Sequence, residues 1–512
     1  MSGRVNTQTN PYLLADGDFT LLSYWDRTNS GHLRHRWGRV LTQTVTGDPI
    51  SYLKEILVGT VTAPVRYLVM HQTNSGQVRN STNLTTNTLL FTWTTTGTTM
   101  QVAALNGSAW FVNGADTPQQ WTGATATTVI SSVTAMPVAR LILMYKNYCF
   151  VARTAANPSR VAVSTLADPT GWPTNNTKDF SPNDGDEITA LHGTPEGVMV
   201  FKQRSVWLWL GETFLTQFLE TRAIRLMGAD GVGTYSPESV QTLPGVGVIF
   251  LARDGFYLYD GSVIRKFDDA VNGETARGGY GTDFILGTAT GMGGTILSRR
   301  EAFATVYRNR YWCTTESNET VSETGDSRQW WVFDPASGWT FTILGGAQVT
   351  QTSDSVYPIT NYNGVLLGVP NSAVLYELDV LGTTTATGTR STLPADGYTK
   401  LYDLGLPDRL KHIRLMTVRF GLDAGLGTPT LVITFTQVGG SGSAVATTLT
   451  ATSGTSIGTN GSETMYEQVI EINQLVRAFS LRLQTAYTGL TGTQNSFNAS
   501  ASIFGIAVEY TT

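Results

Sequence analysis

Five carboxylates stand in short polar stretches between apolar runs: Asp184, Asp186, Glu187, Asp254 and Asp260. Glycoside hydrolysis needs two such groups facing each other across the scissile bond. Here each sits in a turn context, "SPNDGDE", "ARDG" or "YDG", where an Asp side chain bonds to nearby backbone. They are read as turn residues, no catalytic residue is assigned, and the chain is not read as an enzyme. "FDPASGWT" at 333–340 approaches the S-x-D-x-G-x-T-W turn of propeller glycosidases, but Asp334, Gly338 and Trp339 are wrongly spaced, and the segment reads as a connection between strands. His32 and His35 flank Arg34 and Arg36 in "HLRHRWGR". No third ligand is near, and His71, His192 and His412 are isolated, so no metal is expected. The Gly-rich "GADGVG" and "GTATGMGG" lack the Lys-Ser/Thr of a phosphate loop, and no cofactor is expected. Cys149 and Cys313 lie in strand-like apolar runs and read as buried free thiols.

The elements that must position these residues are strands. The 512-residue chain is 41% hydrophobic but only 14% charged, with 53 glycines, 12 tryptophans and a net charge of −5. A Thr/Asn/Gly-rich surface suits strands and turns better than surface helices. The acidic balance argues against tight nucleic-acid binding. The first residues contain no apolar stretch of a secretory signal, and runs such as "VGVIFLA" are too short to span a membrane.

A strand, a polar turn and an aromatic-rich strand recur along the chain. Val69, Phe111, Phe150, Val200, Phe250, Trp312 and Val365 mark seven occurrences, at steps of about 40 to 60 residues, near the period of a four-stranded propeller blade. In one of them, "ESVQTL", "GVIFLA", "FYLY" and "VIRKF" supply an inner, second, third and outer strand. Near-continuous apolar runs signal sheets covered on both faces. Beyond about residue 395 the strands lengthen and alternate, as in "LKHIRLMTVRFGL" and "PTLVITFTQV". That pattern predicts two packed antiparallel sheets, with the Gly/Ser/Thr-rich 437–462 as a long mobile connection and a short helix or an irregular insertion in "FDDAVNGETARGG". The expected fold is all-β: a six- or seven-bladed β-propeller over 31–385, a linker at 386–397, and a jelly-roll-like β-sandwich over 398–512. Residues 1–30 are left as an arm, a closing strand or a docking segment.

Four stretches, taken in order, resemble the propeller-bearing tail hub or nozzle proteins of short-tailed bacteriophages. They are "LRHRWGRV" at 33–40, "AWFVNGADTPQQWTG" at 109–123, "MYKNYCFVARTAANPSRVAVSTLADPTGWP" at 144–173, and "DEITALHGTPEGVMVFKQRSVWLWLG" with the following "GADGVGTYSPESVQTLPGVGVIFLARDGFYLYDG". The sequence departs from the family at Trp37, where Pro is usual, and at "GADGVG". The resemblance implies a structural virion protein located in the tail and assembled in the host cytoplasm. Its copies would form a homo-oligomeric ring, a hexamer, below portal and adaptor. It would gate genomic DNA passing without tight binding and carry fibres or spikes. Arg34, Arg36 and Arg39, the densest positive charge in the chain, are then either a solvated strand edge or a contact to an acidic neighbouring subunit or adaptor. The alternative is a receptor-recognition propeller whose exposed aromatics bind carbohydrate.

Overall fold

The computed structural model describes residues 19–23, 25–27, 33–35, 38–60, 62–123, 130–210, 223–228, 230–252, 255–267, 302–316, 328–335, 338–344, 356–370, 373–380, 390–391, 396–406, 408–423, 428–440, 443–450, 453–460, 463–488 and 500–511. They form an all-β, β-propeller-like fold of nine antiparallel sheets. Six sheets have four strands each, paired in chain order, within 52–92, 101–132, 139–179, 188–225, 241–266 and 303–344. These are sheets 1 to 6. Sheet 7 holds three strands from 356–380 and is completed by Gly38–Thr44 and Arg390–Ser391. The N-terminal strand pairs antiparallel with Val374–Val380, Leu375 opposite Gln43 and Glu377 opposite Val40.

All seven landmark residues fall on the second strand of successive sheets. The four segments read around "FYLY" are the four strands of sheet 5, in that order. Both faces of the middle strands are covered: every residue of Gly197–Lys202 and of Gly255–Tyr259 is buried.

The first strands of the sheets follow one another in a closed circuit. Tyr52–Thr60 lies beside Gln101–Leu105, which lies beside Ala139–Tyr145, itself beside Ile188–Gly193. The single-turn 3-10 segment Pro237–Ser239 carries the circuit on to Gln241–Leu243, then to Phe303–Tyr307, Val356–Tyr362 and back to Tyr52–Thr60. Aromatic rings fill the widening space between sheets. Tyr67 meets Trp121 edge-on at 4.6 Å between sheets 1 and 2, and Phe201 meets Phe250 at 5.1 Å between sheets 4 and 5. Sheets 1 and 2 also touch backbone to backbone, the Gly59 N–H donating to Gly107 O. Gly107 has φ +75°, and a Cβ there would lie 2.0 Å from Gly59 O. No other residue fits.

The last two sheets have five and six strands, several of them long, up to the 14 residues of Glu463–Val476. They share one core, with Met416, Val418 and Phe420 of one sheet and Ile433, Phe435 and Leu481 of the other in the same cluster. Three points differ from the sequence reading. First, the N-terminal segment is divided between the two regions. Phe19–Ser23 pairs with Asp396–Thr399, and Leu33–His35, expected in the propeller, pairs with Ser500–Thr511. Second, 437–462 contains two edge strands, Val445–Leu449 and Thr455–Asn460. Third, Arg390–Ser391, placed in the linker, is the outermost strand of sheet 7. Each difference has the same cause: an open sheet edge pairs with any extended chain that reaches it, and sequence patterning does not name the partner. The helix or insertion considered at "FDDAVNGETARGG" lies almost wholly outside the described residues.

Candidate functional site

The first strands begin at one end of the circuit, and their starting residues surround an axial cavity of about 80 Å³. Its lining comes from six sheets, including Tyr52, Gln101, Arg140, Thr189, Glu238 and Phe303. Each residue stands at or just before the first strand of its sheet, so the repeat itself delivers it to the axis.

Gln101 ties the axis together. Its Oε1 accepts the Ile142 N–H at 3.1 Å, and its Nε2 donates to Glu238 Oε1 at 3.0 Å, joining sheet 2 to sheet 3 and to the turn entering sheet 5. Arg140 donates from Nε and Nη2 to Thr99 Oγ1 at 3.2 and 3.0 Å. Arg153 is ion-paired with Glu187 and is held at φ +61°, the left-handed region. Such a backbone conformation costs a non-Gly residue about 1 kcal/mol or more, and it marks the rim of this cavity as strained. Burial, with the charge of Glu238 added, pushes the Tyr52 hydroxyl well above its ordinary range.

His71 lines the same cavity from the second strand of sheet 1 and is 1% exposed. Neither of its ring nitrogens has a hydrogen-bond partner among the described residues. Burial lowers its pKa to about 4, so the ring is neutral at pH 7. His192, on the first strand of sheet 4, bonds Thr242 Oγ1 at 2.7 Å. Burial, then the charge of Lys54 from sheet 1, lowers its pKa to about 4 as well.

The carboxylates singled out in the sequence are held by structural partners. Asp184 accepts from Lys202 Nζ through both oxygens at 2.7 Å. Lys202 is fully buried, and Nζ also donates to the Phe180 and Ser181 carbonyls at 3.0 and 3.1 Å. Burial pushes the Asp184 carboxyl up, but the Lys202 bond and the Asp186 N–H outweigh it and hold the group below the ordinary range. Asp186 accepts the N–H groups of Gln203 and Arg204 at 2.9 and 3.0 Å. Asp260 caps its own turn, accepting from Ser262 and Val263, and Asp334 pairs with Arg310 at 2.9 Å. Asp254 lies outside the described residues. Both cysteines are buried, and burial pushes both thiols up, away from reactivity.

The arginine cluster is split. Arg34 lies on a strand of the six-stranded C-terminal sheet, opposite Ser502, and Arg39 lies in sheet 7, opposite Leu378. Arg36, like His32, falls outside the described residues. The two placed arginines therefore flank the passage from one region to the other. The sequence reading passed over Tyr52, Gln101, Arg140 and Glu238 and left His71 as an isolated residue. Their signal was positional, the same place at the start of each repeat, and visible only once the first strand of each repeat was fixed.

No protein-family model and no curated protein matches this chain. Solved structures do. A streptogramin B lyase structure aligns over 67% of this chain and 97% of its own, with a TM-score of 0.41 and 12% identity. Virginiamycin B lyase from Staphylococcus aureus aligns over 64% and 99%, with a TM-score of 0.40 and 10% identity. BamB from Moraxella catarrhalis aligns over 65% and 83%, with a TM-score of 0.33 and 9% identity. The resemblance is one of β-propeller-like fold, and at these values it carries no argument about activity.

Proposed function

We propose that this chain is a structural virion protein, a tail hub or nozzle subunit of a short-tailed bacteriophage. In this reading the seven small sheets are the blades of a seven-bladed propeller, and the two C-terminal sheets form a β-sandwich. The ordered stretches that resemble the nozzle family support it, since they supply strands of sheets 2 to 5 and the closing strand of sheet 7. One observation shapes the mechanism. The propeller axis is bridged by Gln101 and Glu238, and its cavity measures about 80 Å³. A duplex, whose major groove alone is about 12 Å wide, does not fit along that axis. The conduit must therefore lie between copies, with propellers as its wall. A closed six-fold ring uses one heterologous interface repeated. The mildly acidic chain limits phosphate contacts that would slow DNA transit. The passage flanked by Arg34 and Arg39 is the surface assigned to an acidic neighbouring subunit or the adaptor, and fibres or spikes dock on the outside of the ring. The subunit performs no chemistry in this reading; the placed carboxylates support that, because each stabilises a turn or a cation.

Negative-stain microscopy of the purified protein, alone and on virions, tests this. Rings with an open centre located at the tail are expected. A monomer on fibre tips with affinity for polysaccharide would overturn it.

A further inference from the structure

We propose that Gly38–Thr44 is a latch: it closes sheet 7, and displacement of the C-terminal sheets draws it out and opens the circuit of small sheets at that seam. The inference rests on the connectivity of a single chain, not on ring assembly or on a place in a virion. Among the described residues, the chain crosses between the small sheets and the C-terminal sheets twice. The first crossing runs from Leu33–His35 of the six-stranded sheet to Gly38–Thr44. The second runs from Arg390–Ser391 to Asp396–Thr399 of the five-stranded sheet. Both crossings therefore meet sheet 7, on two strands that pair with each other, Val40 opposite Arg390 and Arg39 opposite Ser391. The crossings are also short. Fully extended, the three steps from His35 to Gly38 span at most about 10 Å, and the five steps from Ser391 to Asp396 about 17 Å. Movement of the C-terminal sheets beyond those lengths acts directly on these two strands.

The seam is built to release. Tyr52–Thr60 pairs with Ala63–Gln72 residue for residue. The ladder between Gly38–Thr44 and Val374–Val380 instead shifts register twice, at Leu375/Tyr376 and at Leu378/Val380, and each shift disrupts the ladder locally. Gln43 adds a second weakness. It is 4% exposed, and neither its Nε2 nor its Oε1 has a hydrogen-bond partner among the described residues. Its ladder partner Leu375 belongs to an apolar core with Leu53, Leu68 and Leu367. A buried amide of this kind has given up its bonds to water and gained none, so it favours the released strand. Two features hold the seam shut. Val45, just beyond the strand, is buried in the same core and donates its N–H to Ala373 O at 2.7 Å. At the other end the C-terminal sheets are seated on the small sheets, with Phe19–Ser23 beside Gly338–Leu344 of sheet 6. A partner that binds the C-terminal sheets better when they are displaced shifts the seam toward opening by that difference in affinity. Release leaves Val374–Val380 as an open edge for another extended segment.

Hydrogen exchange read by mass spectrometry on the full chain tests the latch. Ile433→Val removes one methylene from the core of the C-terminal sheets and should speed their exchange roughly three- to tenfold. Exchange in Gly38–Thr44 should rise by the same factor. Val365–Pro370 of the same sheet and the strands of sheets 2 and 3 should keep their rates. Gln43→Met replaces the unpartnered amide with an apolar chain of similar length, and should slow exchange in Gly38–Thr44 about tenfold. Three results would sink the proposal. One is faster exchange in the C-terminal sheets of the Ile433→Val protein with Gly38–Thr44 unchanged. Another is equal acceleration in Gly38–Thr44 and in sheets 2 and 3, which is global unfolding. The third is exchange in Gly38–Thr44 of the Gln43→Met protein as fast as in the unsubstituted chain, or faster.

Discussion

The seven small sheets and the two C-terminal sheets are built from similar strands but solve burial differently. In the small sheets, neighbours cover both faces, so strands such as Gly255–Tyr259 are buried throughout. In the C-terminal sheets one face meets the shared core and the other meets solvent. There Ile470, Ile472, Gln474 and Val476 are buried while Val469, Glu471, Asn473 and Leu475 are exposed. Aromatic packing depends on whether a ring pair joins two sheets or lies within one. Ring pairs that join neighbouring small sheets are edge-on or tilted, such as Phe150–Trp209 and Phe256–Trp331. Stacked pairs lie across strands within one sheet, such as Phe420–Tyr466 and Phe435–Phe479. A wedge-shaped gap between sheets is filled by a ring seen end-on; within one sheet both geometries occur, Phe250–Tyr257 stacked and Tyr307–Trp312 edge-on. The difference teaches that the small sheets depend on neighbours on both faces, whereas each C-terminal sheet buries one face, in a core that runs on into sheets 5 and 6 through residues such as Phe256 and Trp331.

Substitutions can break or sharpen that contrast. The largest effect is expected for Trp209→Ala, which removes the ring packed between Phe150 and Phe180 of the neighbouring sheet. A loss of about 3–5 kcal/mol is expected for a truncated buried Trp, read from the midpoint of chemical denaturation. A loss below about 1 kcal/mol would mean that the sheets do not rely on their interfaces.

Asp184→Ala leaves the buried Lys202 ammonium with only two carbonyl partners. Asp184 is itself partly exposed, so the cost is set at about 2 kcal/mol. The same pair predicts an acid limit. The carboxyl is depressed in the folded state, so its contribution is present above the ordinary carboxylate range and is lost as pH falls through the folded value. The D184A variant should lack that last step in a pH titration of stability.

A milder acid slope comes from His71 and His192. Their folded pKa values near 4 lie below the ordinary 6.5, so the unfolded chain binds more protons in between. Stability is full above pH 6.5 and declines as pH falls toward 4. His71→Asn should flatten part of that decline, and a midpoint independent of pH over this range would contradict the buried neutral ring. The smallest effect is expected for Val469→Ala, on the solvent face of the six-stranded sheet, within about 0.5 kcal/mol. Its neighbour Ile470→Ala should cost about 2 kcal/mol or more. Equal costs at the two positions would refute the one-sided burial.

Much of this contrast was written in the chain. Seven landmarks at a near-constant step, continuous apolar runs before residue 380 and alternating ones after 395 are local properties. They follow from which faces of a strand must leave water. The turn reading of Asp260 was legible for the same reason, since an Asp bonded to its own turn needs no distant partner; Asp184 and Asp186 bind Lys202 and the amides of Gln203 and Arg204, which lie beyond their own turn. Tertiary structure alone decided the rest. Gly38–Thr44 closes sheet 7 across more than 300 residues of chain, and its neighbour Leu33–His35 joins the six-stranded C-terminal sheet. No local pattern encodes which open edge a strand will find. Lys202 could be assigned to Asp184 only once the hairpin of sheet 4 was formed, and Gln101 to Glu238 only when separate repeats were brought to one place. The axial cavity is likewise a property of no single repeat. Six sheets contribute between one and four residues each, and closure of the circuit brings them around one cavity.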